Sequence, residues 1–167
     1  MSRSNYTEDD GENNWGFICY RGAVASAIKG KRGQALLQDL AKALDAMPVK
    51  RLISDELEVA GEFCTLGVLG RARGIDMTEI DPTESDVVAK TFDIAEALAR
   101  EIVFENDDRI GSHRWIEIEI CGPMRPWYPE RGGHHKSVLV ELPADEVAAK
   151  RWVHMRKWVA DNTVVPA

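Results

Sequence analysis

Between Gln34 and Met47 the apolar residues Leu36, Leu37, Leu40, Ala41, Leu44 and Met47 recur at steps of three and four, while Gln34, Gln38, Lys42 and Asp45 take the other side. That period predicts an amphipathic helix with one face in a core. Pro48 stops it, because proline lacks the N–H a continuing helix needs. Upstream, Asn13 or Asn14 can cap a helix that opens at Trp15, carries Ile18, Cys19, Val24, Ala25 and Ile28, and ends at the punctuation of Gly30 and Gly33. Two helices joined by a short glycine-bearing turn predict an antiparallel pair.

Further along, Leu52, Ile53, Leu57 and Val59 suit either a short helix or a short strand. Residues 63–74 suit a helix with small residues on one face and Gly74 as its C-cap. Its interior glycines cost about 1 kcal/mol each against alanine, so close backbone packing has to offset them. Pro82 opens the next helical zone, with a capping cluster at Thr83, Glu84, Ser85 and Asp86. The pattern there predicts a short helix through Val87, Val88 and Phe92, a turn near Asp93, and a longer helix to about Asn106. The period then changes to two. Ile116, Ile118 and Ile120 alternate with Glu117 and Glu119, and Val138, Val140 and Leu142 follow the same rule, which predicts two half-buried strands. Fourteen residues (122–135) with three prolines and three glycines join them, far more than the ~2–5 of an ordinary hairpin loop. After Pro143 and Asp145 a last helix places Val147, Ala148, Trp152, Met155 and Val159 on one face. The expected fold is mainly α: a compact helical domain over residues 13–162 with an added β-hairpin, about 113–143, before the C-terminal helix. Residues 1–12 read as a flexible acidic tail and 163–167 as a short C-terminal one.

Composition fits that picture. With 167 residues, 44% apolar and 29% charged, the chain has the balance of one globular domain rather than of a disordered segment. Uncharged runs fall well short of the ~18 residues of a membrane helix, so no membrane partner is expected. The acidic N-terminus has no apolar stretch of a signal peptide, and three isolated cysteines give no disulfide framework. A reduced, cytoplasmic chain is the expectation.

The net charge of −7 is unevenly laid out. Residues 15–38 carry Arg21, Lys29, Lys31 and Arg32 and no acid, whereas residues 75–108 carry eleven acids against Lys90 and Arg100. Such polarity steers association with oppositely charged surfaces, although most charged residues are simply solvated surface. The basic turn is not a phosphate loop: a Walker motif requires GxxxxGK followed by Ser or Thr after a strand. Gly67, Gly70 and Gly74 likewise lack the GxGxxG spacing of a dinucleotide fingerprint. No cofactor is expected. What survives is a helix-to-helix turn whose cations suit an acidic protein, or nucleic-acid phosphates as the alternative.

Residues 88–102 have helix-turn-helix character, with Ala89 in the first helix, the turn at Asp93, and Ile94 and Ile102 facing the core. The second helix, however, carries Glu96, Glu101 and Glu105 against Arg100 alone, which phosphates repel. His113, Cys121, His134 and His135 offer the residue types of a zinc site but not its close ligand pairs. No GxSxG elbow or Cys–His arrangement marks a nucleophile. Asp76 with Glu79, or Asp107 with Asp108, has the groups for acid–base work, though nothing distinguishes them from surface carboxylates. In the long loop, Trp127 and Tyr128 lie between prolines and beside Arg125 and Arg131, the composition of a binding hot spot or of an aromatic lid.

Several words of the sequence carry a resemblance: Met1-Ser2-Arg3-Ser4, Tyr20-Arg21-Gly22-Ala23-Val24, the run from Ser26 to Ala35, Ala43-Leu44-Asp45-Ala46-Met47-Pro48, and Gly70-Arg71-Ala72-Arg73-Gly74-Ile75-Asp76-Met77. In order and spacing they resemble a family of small proteins encoded by phages and prophages of proteobacteria, to which no activity is assigned. The resemblance spans about residues 1–108 and resumes near 150–162. Tyr20 stands where such proteins usually carry Trp, and the hairpin looks like an addition to the shorter members. The resemblance implies a phage accessory protein in the host cytoplasm and transfers no catalytic residue. Together these readings lead to the expectation of non-enzymatic binding to a host or phage protein, a host defence or regulatory component being the expected class.

Overall fold

The computed structural model describes residues 14–119 and 135–164. Helices α1 (Asn14–Lys29) and α2 (Lys31–Ala46) are followed by a small ribbon, β1 (Glu58–Val59) and β2 (Glu62–Phe63). Then come α3 (Thr65–Arg73), α4 (Ser85–Phe92), α5 (Glu96–Asp107), the antiparallel pair β3 (His113–Glu119) and β4 (His135–Glu141), and α6 (Ala144–Asn162). The fold is mainly α with a hairpin before the last helix, as the periodicity predicts. Among the described residues no helix is long and apolar enough to cross a membrane.

The core is a single cluster in which α2 supplies Leu36, Leu37, Leu40 and Leu44, α3 supplies Leu66 and Leu69, and α6 supplies Met155 and Val159. Burying each such side chain contributes about 1.5–3 kcal/mol. At the centre lies α5, which packs against α1, α3, α4 and α6. Glu96 is the one exposed residue along it. The α4–α5 pair does have the predicted turn, with Asp93 left-handed at φ 53° and Ile94 and Ile102 buried. The second helix nevertheless has no free face to lay in a DNA groove.

Helix ends follow the local chemistry. Gly74 adopts φ 67° after α3, and the bonds from Gly74 N to Arg71 O and from Ile75 N to Gly70 O close a Schellman motif. Glycine is needed inside α3 for contact: a Cβ on Gly67 would sit 1.9 Å from the Leu57 carbonyl oxygen, and one on Gly70 2.5 Å from the Met77 sulfur. Leu57 belongs to the segment whose class the sequence left open. It leads into β1, and the tight turn to β2 runs through Ala60 and Gly61, both at positive φ.

A buried polar knot ties this segment to α5. Asn106, 1% exposed, accepts from Thr65 N at 3.2 Å and Thr65 Oγ1 at 2.7 Å. It donates to Ile53 O at 2.8 Å and Asp107 Oδ1 at 2.6 Å. C-terminal α6 is fastened to α2 by Trp152 Nε1 donating to Leu44 O and by the two bonds from Arg156 to Asp45. Trp152, expected in the core, is half-buried against it. In the hairpin Ile116, Val138 and Val140 are half-buried as predicted, but Ile118 is exposed, as are Trp115 and its cross-strand neighbour Leu139.

Candidate functional site

The four basic residues of the N-terminal pair separate into two roles. Arg21, at the middle of α1, reaches Glu101 of α5 at 2.6 Å. The Glu101 side chain is only 3% exposed, so Arg21 neutralises a buried carboxylate and holds α1 on α5. Tyr20 donates from its hydroxyl to Ala97 O beside it. Lys29, Lys31 and Arg32 instead cluster at the α1–α2 turn, where all three are exposed. Arg32 touches Asp93 at 3.1 Å with both side chains largely in solvent, a contact worth at most about 1 kcal/mol. Among the described residues, Lys29 and Lys31 have no ion-pair or hydrogen-bond partner.

This turn forms one wall of an open groove of about 470 Å³. Ala23, Ser26 and Ala27 line it from α1, Gly30 to Gly33 from the turn, and Ala95 and Leu98 from α5. Gly33 lets the walls meet, since a Cβ there would lie 2.0 Å from the Ala27 carbonyl oxygen. The floor is therefore small and apolar, and the rim carries Lys31 and Arg32. Neither Gly30 before α2 nor Ala95 before α5 offers a side-chain cap, so both helices begin at the groove with amide N–H groups facing outward along their axes. Charge and shape together suit an acidic side chain carried on an apolar segment.

Elsewhere the acidic stretch is less exposed than its composition implies. Glu101 and Glu105 are buried, the latter taking His154 Nε2 at 2.6 Å with Arg109 at 3.9 Å. The exposed acids hold local structure. Side-chain and backbone hydrogen bonds from Thr78 keep the Asp76 carboxyl below its usual range, Thr83 does the same for Asp81, and Lys90 for Asp86. Carboxyls held low stay ionised at neutral pH and do not donate protons. Of the pair Asp107 and Asp108, the former is engaged by Asn106.

His113 lies exposed with its Nδ1 2.9 Å from Ser112 Oγ, and His135 pairs with Glu119 across the hairpin. Cys121, His134, Arg125, Trp127, Tyr128 and Arg131 lie outside the described residues. Among the described residues no three His, Cys, Asp or Glu side chains gather as a metal would need. Sequence reasoning found the cations of the groove but not its far wall: Ala95 and Leu98 are apolar residues of a core-forming helix, and no local signal marks them as lining a surface. Set against family models, curated proteins and solved structures, the chain matches none of them.

Proposed function

We propose that this chain is a non-enzymatic binding protein that docks onto an acidic segment of another protein through the α1–α2 edge. One observation carries the reading: Lys31 and Arg32 stand exposed on the rim of a groove with an apolar floor, with exposed Lys29 beside them in the chain. Cations at the rim of an apolar depression are the arrangement that selects an acidic side chain flanked by apolar ones. The phage-accessory role implied by the N-terminal words fits this reading, with a host defence or regulatory protein as the target class.

Nucleic acid is the less favoured occupant. Asp93 sits 3.1 Å from the rim cation Arg32 and would repel a continuous line of phosphates more than it would a single acidic side chain. The test is retention from a proteobacterial lysate on the immobilised chain, beside a variant with Lys29→Glu, Lys31→Glu and Arg32→Glu. The reading expects a specific protein held by the wild type, released by salt and absent from the variant. Identical retention by both chains would overturn it, and so would a gel shift of duplex DNA or RNA at low salt without any retained protein.

A further inference from the structure

The two cations on the groove's rim are not equally engaged. Lys31 has no ion-pair or hydrogen-bond partner among the described residues, whereas Arg32 Nη1 lies 3.1 Å from Asp93 Oδ1. That acid is no local neighbour, since 61 residues separate the two. Asp93 stands in the turn between α4 and α5, two positions before Ala95, which lines the far wall. The pair therefore ties the turn wall of the groove to the chain that enters its opposite wall.

The two halves of the pair differ in freedom. The Asp93 backbone is set by its own turn, left-handed at φ 53° with its N–H donated to Ala89 O and Lys90 O. Just before it, Arg73 Nη1 donates to Phe92 O at 3.4 Å, and Arg73 Nη2 is held by Asp39 at 2.8 Å. The carboxylate keeps its place without help from Arg32, which reaches it on a long stem with 70% of the side chain exposed. The turn itself needs no charge. Asparagine or glycine takes the left-handed backbone as readily, and a carboxylate at the end of α4 meets the negative end of that helix dipole. No amide of α5 donates to Asp93 among the described residues. Arg32 is the group its charge serves.

We propose that Asp93 is an internal stand-in for the partner's acid: it holds Arg32 in the unbound chain, and an incoming carboxylate takes the guanidinium from it. This rests on the docking reading of the groove and adds its regulation. A ligand that must wait for an internal competitor to leave binds more weakly by the fraction of chains in which the competitor has left. An exposed ion pair favours its closed form by a factor of no more than about five. Removing the Asp93 charge therefore tightens binding about two- to six-fold. So weak a hold is displaced by a segment that also buries apolar side chains on the floor, and it screens out anions that bring charge alone.

The test is a titration of the isotope-labelled full chain with a blocked peptide carrying one glutamate between two leucines, followed at the amides of Gly33 and Ala95 in the groove. Asp93→Asn binds the peptide about two- to six-fold more tightly than the wild type, with an unchanged far-UV spectrum because asparagine suits the turn. Arg32→Ala binds it more weakly, and adding Asp93→Asn to that chain changes nothing, since the two residues act as one unit. Glu96→Gln removes the same charge from the start of α5, where Glu96 takes Ser85 rather than a rim cation, and it leaves the affinity within about 1.5-fold of the wild type because solvent screens it. An Asp93→Asn chain no tighter than the wild type, an equal gain in the Arg32→Ala background, or an equal gain from Glu96→Gln would each overturn the proposal. Absence of binding by every chain would overturn it too, whereas the docking reading stands or falls on the lysate experiment.

Discussion

Replacing Asn106 by alanine removes the knot that joins α3, α5 and the segment before β1. Four hydrogen bonds go, and two groups that water reaches poorly lose their partner: the amide of Thr65, a residue 0% exposed, and the carbonyl of Ile53. An orphaned buried group costs about 1–3 kcal/mol, and an ordinary hydrogen bond such as that from the Thr65 hydroxyl contributes about 1 kcal/mol. The expected loss is about 3–5 kcal/mol, several times the ~1 kcal/mol of a typical substitution. It is also a large share of the ~5–15 kcal/mol that holds a domain together. Urea unfolding followed by far-UV circular dichroism reads it as a lower midpoint at unchanged slope. Thr65→Val removes only the hydroxyl and costs about 1–2 kcal/mol. The double variant loses less than the sum of the singles by at least about 1 kcal/mol, since both groups serve one network. Asn106→Asp keeps the shape but sets an oxygen against the Ile53 carbonyl and the Asp107 carboxylate, so it is no milder than alanine. A loss below about 1 kcal/mol for Asn106→Ala would refute the reasoning, because the groups called buried would then be finding water.

Glycine substitutions separate close contact from open space. Gly33→Ala and Gly67→Ala each force a backbone carbonyl aside and cost about 2–3 kcal/mol of overpacking, whereas Gly22→Ala adds about 0.5–1 kcal/mol of helix propensity. Equal effects at the three sites would contradict the packing described. Arg21→Ala strands the Glu101 carboxylate, whose Oε2 is already buried without a hydrogen bond among the described residues, and costs about 2–4 kcal/mol; adding Glu101→Leu recovers most of it. Failure of the second change to recover stability would show that the charge was not the cause. At Asp45, the hydrogen bonds from Arg156 hold the carboxyl below its usual range, against a smaller opposing effect of desolvation. A lowered folded-state pKa gives stability that is complete above the unfolded value of ~3.9 and is lost as pH falls through the folded one. Asp45→Asn therefore costs less than about 1 kcal/mol at neutral pH, given its exposure. That difference shrinks in urea titrations taken from pH 5 down to pH 3, and a difference that does not change with pH would exclude the charge pair.

Much of the fold was legible because its signals are local. Leu36, Leu40 and Leu44 repeat at helical steps, Pro48 and Pro82 punctuate, and Gly74 and Asp93 take the left-handed conformations that end α3 and α4. The β1–β2 ribbon was not legible: two-residue strands have no alternation to detect, and Ala60 holds a positive φ that alanine rarely adopts. In α1 the apolar residues run all round the helix, so periodicity cannot say which of them turn inward, and Ile18, Cys19 and Ala25 turned out exposed while Val24 is buried. At the candidate site, Lys29, Lys31 and Arg32 are neighbours in the chain and stood out at once. The partners that sort the cations do not. Asp93 and Glu101 are 61 and 80 residues away from Arg32 and Arg21, and Glu101 and Glu105 read as solvated acids until α1 and α6 are folded against them.

The central claim is that the α1–α2 edge is where another protein docks, and amide chemical-shift mapping tests it most directly. The isotope-labelled chain is titrated with the protein it retains from lysate. Docking at this edge moves the signals of Lys29, Lys31, Arg32 and Ala95 and leaves those of β4 and the outward side of α6 in place. Shifts confined to the hairpin or to α6, with the α1–α2 turn unmoved, would contradict the account.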